Sequence, residues 1–491
     1  MFGFFISSGL FLGWTLGAND ASNVFGTAVG ARMIRFKTAA IYCSIFIILG
    51  SVISGAGASH TLGKLGAVNA AAGAFIVAFA AGISVYLMTK ARYPVSTSQA
   101  IVGAIIGWNL FSGSLTDYNS LAKIIGTWVF CPVISAIIAI GLYKLVVFSI
   151  RMLKPHMLTL DALTRFGLLF VGAFGSYSLG ANNIANVMGV FIPVSPFSDI
   201  SLFGLVNFSS AQQLFLIGAV AIAVGVFTYS KRVMETVGEG IVSLSPVAAF
   251  AVVSAHSIVL FLFASQGLEG FLSNHGLPTI PLVPVSSSQA IVGAVIGVGI
   301  LKGGSSIRWR LLGGISSGWV VTPIIAAAVS FISLFFLQNV FEQNAYQPIR
   351  YQITDEAFER IRDAGIATDK LIELLHQQYP NAARFNDELT KIKKLNRENR
   401  NYVFSSAEIN KFKITTDRID AVSSGKRWIN KKQKEDLKKL EGRTFKHKWL
   451  LYDALVNISP YWQYIGNDKR HNDEVRHKLS YIYELFRVNN E

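Results

Sequence analysis

GANDASN at Gly17–Asn23 returns as GANNIAN at Gly180–Asn186, and PVSTSQAIVGAIIG at Pro94–Gly107 returns as PVSSSQAIVGAVIG at Pro284–Gly297. Each copy interrupts or adjoins a strongly apolar run with small, hydroxylated and amide residues. A polar break in a hydrophobic span leaves backbone groups unpaired, and lipid does not tolerate that unless the break lines a protein cavity. Two such breaks at corresponding places in two halves point to the substrate site of a transporter.

Working outward, apolar runs long enough to cross a bilayer, about 20 residues, lie near 2–30, 38–58, 66–88, 94–112 and 122–150. A second set lies near 165–194, 211–230, 243–264, 282–301 and 308–338. Each set opens with an Asn-rich phrase and carries its Pro-Val-Ser phrase at the fourth run. An odd number of spans per set inverts the second copy relative to the first. The expected fold is therefore an all-α polytopic membrane protein, an inverted repeat with broken first helices. Runs 66–88 and 94–112 read either as two full spans or as one re-entrant hairpin with the Pro-Val-Ser phrase at its tip, and so do their counterparts in 243–301. Pro132 and Pro323, at matching places in the fifth runs, read as kinks. Gly103/Gly107 and Gly293/Gly297 read as small-residue helix contacts.

Charge divides the chain. Of 44 Lys+Arg and 29 Asp+Glu, 16 and 7 fall in residues 1–340, leaving 28 and 22 for the rest. The domains expected are a first repeat over 1–150, a second over 151–344 and a charged, soluble, mainly helical region over 345–491. In that region Asp355–Gln377 and Asn386–Asn401 look helical, and the basic run Lys431–Lys439 reads as a solvated helix face and not as a nucleic-acid contact. In the body, Arg32, Arg35, Lys37, Lys90, Arg92, the Arg151–Arg165 loop, Lys231, Arg232 and Lys302–Arg310 all fall on one side of the spans. Loops 195–210 and 265–280 carry no Lys or Arg. Lys and Arg accumulate in cytoplasmic loops, so both termini are expected on the non-cytoplasmic side of a cell (inner or plasma) membrane. The N-terminal run reads as a span, since it lacks a basic n-region and a cleavage pattern. Cys43 and Cys131 read as small core residues.

Asp20 is the one acidic residue inside an expected span of the first half. A carboxylate at that depth is expensive and marks an ion or proton path. With Asn19 and Asn23 it offers hard oxygen ligands to a small cation. Ser96, Thr97, Ser98 and Gln99, and Ser286, Ser287, Ser288 and Gln289, follow prolines and precede helical runs. A helix start presents free N–H groups and partial positive charge, which favour an oxyanion. His256, in an apolar run, reads as a hydrogen-bonded core histidine sooner than as a proton relay. There is no nucleophile–base pair or metal-ligand cluster of the kind an enzyme needs, and no cofactor is expected.

These residues resemble the inorganic phosphate transporter (PiT) family, the sodium- or proton-coupled phosphate permeases. GANDASNVFGTAVG at Gly17–Gly30 is similar to the family's first signature, and the two Pro-Val-Ser phrases are similar to its twin Pro-Val-Ser-Thr-Thr-His phrases. The resemblance covers about residues 1–340. It implies an inverted repeat with broken first helices and two helical hairpins that meet at phosphate. It also implies a cation held by Asn19, Asp20, Asn23, Asn182, Asn183 and Asn186, and phosphate held by Ser96, Thr97, Ser98, Gln99, Ser286, Ser287, Ser288 and Gln289. Two departures stand out. Asn183 replaces the usual second Asp, and Gln99 and Gln289 replace the usual His. Loss of both His residues favours sodium over a proton as coupling ion and reopens sulfate as an alternative substrate. The function expected is import of inorganic phosphate with that cation by alternating access. An anion channel or a transport-like receptor is the alternative of another class. The expected partners are phosphate, the cation and the lipid bilayer, with a homodimer as a possible assembly.

Overall fold

The computed structural model describes residues 2–66, 68–90, 95–197, 200–202, 206–231, 233–234, 244–304, 307–392, 394–420, 429, 431–466 and 469–488. Pro94, Arg92, Arg232 and part of loop 195–210 lie outside them. The chain divides into two compact units, 1–347 and 348–491.

In the first unit the apolar runs form helices: α1 (Ser7–Gly30), α2 (Phe36–Ser54), α3 (Ala56–Leu65), α4 (Ala71–Lys90), α5 (Thr97–Ser112) and α6 (Tyr118–Leu153). Then come α7 (Met157–Met188), α8 (Ser210–Thr228), α9 (Pro246–Ala264), α10 (Gln266–Asn274), α11 (Ser287–Leu301) and α12 (Trp309–Asn339). Local chemistry sets the ends. Ser96 and Ser286 cap α5 and α11, accepting from the backbone N–H of Gln99 and Gln289 at 3.3 and 3.2 Å; such caps satisfy donors that a helix start leaves free. Pro246 sits in the first turn of α9 behind the Ser245 cap, and Gly113, at φ +67°, closes α5 in the left-handed region.

Among the described residues, seven helices are long and apolar enough to cross a membrane: α2, α4, α6, α7 (extended through Val194), α8, α9 and α12. Helix α1 is long enough, at 24 residues, but its Asn, Asp, Ser and Thr residues dilute its apolar character. Helices α5 and α11 have 16 and 15 residues, about 24 and 22 Å of rise, and cannot cross a hydrocarbon core of about 30 Å. Both Pro-Val-Ser helices are therefore partial crossings. Around the unit, Phe130, Ile137, Phe148, Phe170, Ile324 and Phe335 are each more than half exposed. A soluble surface does not present such a belt; it is the lipid-facing side of a membrane protein.

The expected breaks in the first helices are not present. Helix α1 runs unbroken through Gly17–Asp20 and α7 through Gly180–Asn183. Because the helical backbone ladder continues through both phrases, their polarity lies in the side chains alone. Gly17 serves a different end: a Cβ there would lie 1.9 Å from the carbonyl oxygen of Ile222, so α1 and α8 touch backbone to backbone.

The halves interlock reciprocally. A Cβ on Gly103 of α5 would meet the Pro323 carbonyl oxygen of α12 at 2.1 Å, and one on Gly293 of α11 would meet that of Pro132 of α6 at 2.1 Å. Gly107 and Gly297 repeat the contact one turn on, against Ala327 and Ala136. The small-residue contacts expected from the sequence are thus present, and each joins one half to the other. The end of the unit is also tied in: the Trp108 indole of α5 donates to the Ala345 carbonyl at 3.3 Å, and Asn69 exchanges two hydrogen bonds with the Gln347 backbone.

The second unit has a core of its own. A three-stranded antiparallel sheet, β1 (Arg350–Gln352) between β2 (Gln378–Tyr379) and β3 (Glu408–Ile409), packs with Ile353, Ile361, Phe385, Leu389 and Val403. A second cluster gathers Phe412, Leu437, Leu451, Leu455, Trp462 and Phe486. The helical reading of Asp355–Gln377 needs correction: the helix stops at Asp363, Gly365 turns the chain at φ +73°, and Leu371–Leu374 is a 3-10 turn. Asn386–Asn401 likewise spans two helices, Ala382–Ile392 and Arg397–Ala407. Apolar residues at strand positions carry the weaker period-2 signal, which the charge-rich composition hides.

Candidate ion-binding site

All fourteen polar residues singled out from the two repeated phrases are buried, none more than 5% exposed. Four elements bring them together: the middles of α1 and α7 and the capped starts of α5 and α11. Asp20 accepts from the Asn19 amide at 3.0 Å, while Asn183 of α7 reaches its other oxygen at 3.5 Å. Thus the amide that stands in the place of a second carboxylate donates to the first. Asn186 donates to Asn183 Oδ1 at 3.1 Å and to the Ser98 hydroxyl at 2.8 Å. In the other direction, Asn23 of α1 donates to the Ser287 hydroxyl at 3.0 Å. Each Asn-rich helix therefore holds the hydroxyl cluster of the opposite half.

The residues do not all play the same part. Asn182 spends both ends of its amide on backbone, donating to the Val283 carbonyl at 3.3 Å and accepting from the Val285 N–H at 3.1 Å. It clamps the extended segment leading into α11. Asn19 also donates to the Val95 carbonyl at 3.2 Å, before α5. Ser96 and Ser286 act as caps, and Ser286 shares a 3.0 Å hydrogen bond with Ser288. Ser98 donates to the Val285 carbonyl at 3.0 Å, which fastens one cluster to the other.

Among the described residues, buried atoms at this junction without a protein partner include Thr97 Oγ1, Gln99 Oε1, Gln289 Oε1 and Asn186 Oδ1. Buried polar atoms in folded proteins are almost always paired. A cluster of exceptions around two helix starts is what a polar ligand would complete. One neighbour comes from outside the two repeated phrases. His256 of α9 is fully buried, and its Nε2 lies 2.9 Å from Ser287 Oγ. An isolated His in an apolar run carries no signal of its partner, because α9 approaches α11 only in the folded unit. This finding also corrects a premise. The case for sodium over a proton rested on the absence of histidine near the hydroxyls, and a histidine is there.

A family model described as the phosphate transporter family matches residues 16–330, and again 277–409. A protein of Methanocaldococcus jannaschii with the name "putative phosphate permease" is 29% identical over 325 residues, covering 66% of this chain and 93% of its own length. One of the same name from Haemophilus influenzae is 26% identical over 419 residues, covering 68% and 96%. A solved structure titled the sodium-dependent phosphate transporter is similar in fold, with a TM-score of 0.54 and 24% identity, covering 69% of this chain and 98% of that one. The family match spans well over half of the sequence and contains every residue of the buried site. The chain belongs to the phosphate transporter family, which is one of membrane permeases and not of enzymes.

Proposed function

We propose that this chain imports inorganic phosphate together with a cation, by alternating access of two inverted halves around the buried site. The observation that carries the reading is the convergence of two capped helix starts, their hydroxyls and a single carboxylate, Asp20, in one buried network. Helix starts and hydroxyls favour the oxyanion. Asp20, with the amide oxygens around it, suits a small hard cation. Two charges of opposite sign bound side by side lower the cost of carrying either through a low-dielectric interior.

Sodium is the preferred cation. The oxygen-rich donor set supports it, and the fold neighbour is titled sodium-dependent. In this reading phosphate is held by Thr97, Gln99, Ser287, Ser288 and Gln289, while Ser96, Ser98 and Ser286 build the cradle through their backbone contacts. The cation is held around Asp20 by Asn19, Asn23, Asn183 and Asn186, while Asn182 fixes the segment that leads into α11. Reciprocal packing of α5 on α12 and α11 on α6 supports the two-fold relation between halves. The assignment of both termini to the non-cytoplasmic side rests on loop charge alone.

The test is uptake of labelled phosphate into proteoliposomes under a sodium or a proton gradient, with sulfate as competitor. Accumulation above the external concentration, driven by sodium, lost in Asp20→Asn and strongly weakened in Ser287→Ala, is expected. Uptake untouched by either substitution in well-folded protein would refute the site. Full displacement by sulfate would reassign the substrate.

A further inference from the structure

We infer that His256 is a positioning residue that turns Ser287 into a dedicated hydrogen-bond donor toward the bound oxyanion; the inference rests on the phosphate-site reading above. Two nitrogens converge on Ser287 Oγ: Asn23 Nδ2 at 3.0 Å and His256 Nε2 at 2.9 Å. An amide nitrogen only donates, so one lone pair of the hydroxyl is taken. The neutral imidazole then offers two arrangements. If Nε2 were the acceptor, the Ser287 hydrogen would be spent on it, and the ring's proton would sit on Nδ1. That atom is buried and has no partner among the described residues, and a buried N–H left orphaned is rarer than an under-satisfied acceptor. If Nε2 carries the proton, Nδ1 is left only as a bare lone pair. Ser287 then accepts from both nitrogens, and its own hydrogen has no acceptor among the described residues.

That leftover hydrogen needs an acceptor, and an oxygen of phosphate supplies one. The other half shows the contrast. Ser98 accepts from Asn186 but gives its hydrogen to the Val285 carbonyl, so it is a structural hydroxyl. No histidine lies in α4, the helix that packs in the first half as α9 does in the second. The nearly identical hydroxyl clusters are thereby unequal, with Ser287 a free donor and Ser98 a fastener. The inequality comes from His256 on a third helix.

The test is phosphate uptake by the full chain in proteoliposomes, with KM and turnover measured separately. His256→Phe keeps the ring without a donor, and His256→Met is the second donor-free variant should the first fold poorly. His256→Gln keeps an amide N–H as many bonds from the backbone as Nε2. A hydrogen bond to a charged group supports an expected rise in KM of roughly 10- to 100-fold in Ser287→Ala, His256→Phe and His256→Met, with His256→Gln within about 3-fold of the parent. In the double variant His256→Phe/Ser287→Ala, KM should match that of Ser287→Ala alone, because the histidine acts through the serine. Additive effects, or a Gln variant as impaired as Phe and Met, overturn the inference while leaving the site intact. An unchanged KM in Ser287→Ala overturns the phosphate-site reading itself.

Discussion

Replacing Asn183 with Asp would restore a second carboxylate opposite Asp20, and the geometry sets its consequences. The Asn183 amide nitrogen lies 3.5 Å from Asp20 Oδ2. A carboxylate oxygen placed there faces a like charge at about the same distance. With an effective dielectric of about 20, two unit charges so placed repel by about 5 kcal/mol, comparable to the whole stability of many domains. A cation bound between them would convert that repulsion into attraction for both. Asn183→Asp should therefore lower the melting temperature of the purified chain in choline and recover most of the loss in sodium. Each tenfold gain in cation affinity adds about 1.4 kcal/mol of sodium-dependent stabilisation at saturation, so recovering most of the loss takes a gain of roughly 1,000-fold. Asn183→Leu, which removes the amide and adds no charge, should lower melting equally in the two salts. Thermal unfolding of the three proteins across a sodium titration is the assay. If Asn183→Asp and Asn183→Leu show the same dependence on sodium, Asp20 does not anchor the cation and the reasoning fails.

Two further outcomes test packing and protonation. Gly103→Ala and Gly293→Ala drive a methyl to 2.1 Å from a backbone carbonyl of α12 or α6. Each should cost about 3 kcal/mol by overpacking and lower the melting temperature, whereas Gly126→Ala in α6, with open space around it, should be neutral or better because Ala is the stronger helix former by about 1 kcal/mol. Equal melting of all three would contradict the close helix contacts. In the second unit, burial holds His447 below the ordinary imidazole range, against the pull of its hydrogen bond to the Glu408 carbonyl. The unfolded chain therefore binds a proton at this site before the folded one does. Stability is complete above the unfolded value of about 6.5 and falls as pH drops below it toward the folded value. Hydrogen exchange over 403–414 and 444–455 should show protection falling from about pH 7.5 to about pH 5.5, and falling less in His447→Gln; an identical fall would exclude His447 as the cause.

The site's asymmetry links these predictions. Asp20 against Asn183 is an asymmetry of charge, and Ser287 against Ser98 is one of hydrogen bonding. Both lie on a scaffold whose helix contacts repeat almost atom for atom in the two halves.

The membrane body, its internal duplication, the charged second unit and the two polar phrases are all legible in the amino-acid sequence. Those properties depend on composition, period and repetition, all of which are local. Glycines 103, 107, 293 and 297 were legible as contacts because small residues at helical spacing have few other uses in a membrane. That α1 and α7 continue through their polar phrases emerges from the folded molecule, because a helix interior tolerates Asn and Asp wherever neighbouring helices satisfy them. Tertiary packing also decided that Asn182 serves the backbone while Asn186 and Asn23 reach across to hydroxyls of the other half, 88 and 264 residues away. And it placed His256 against Ser287. Spacing along a chain predicts neighbours on one helix, but partners on different helices follow from how those helices pack.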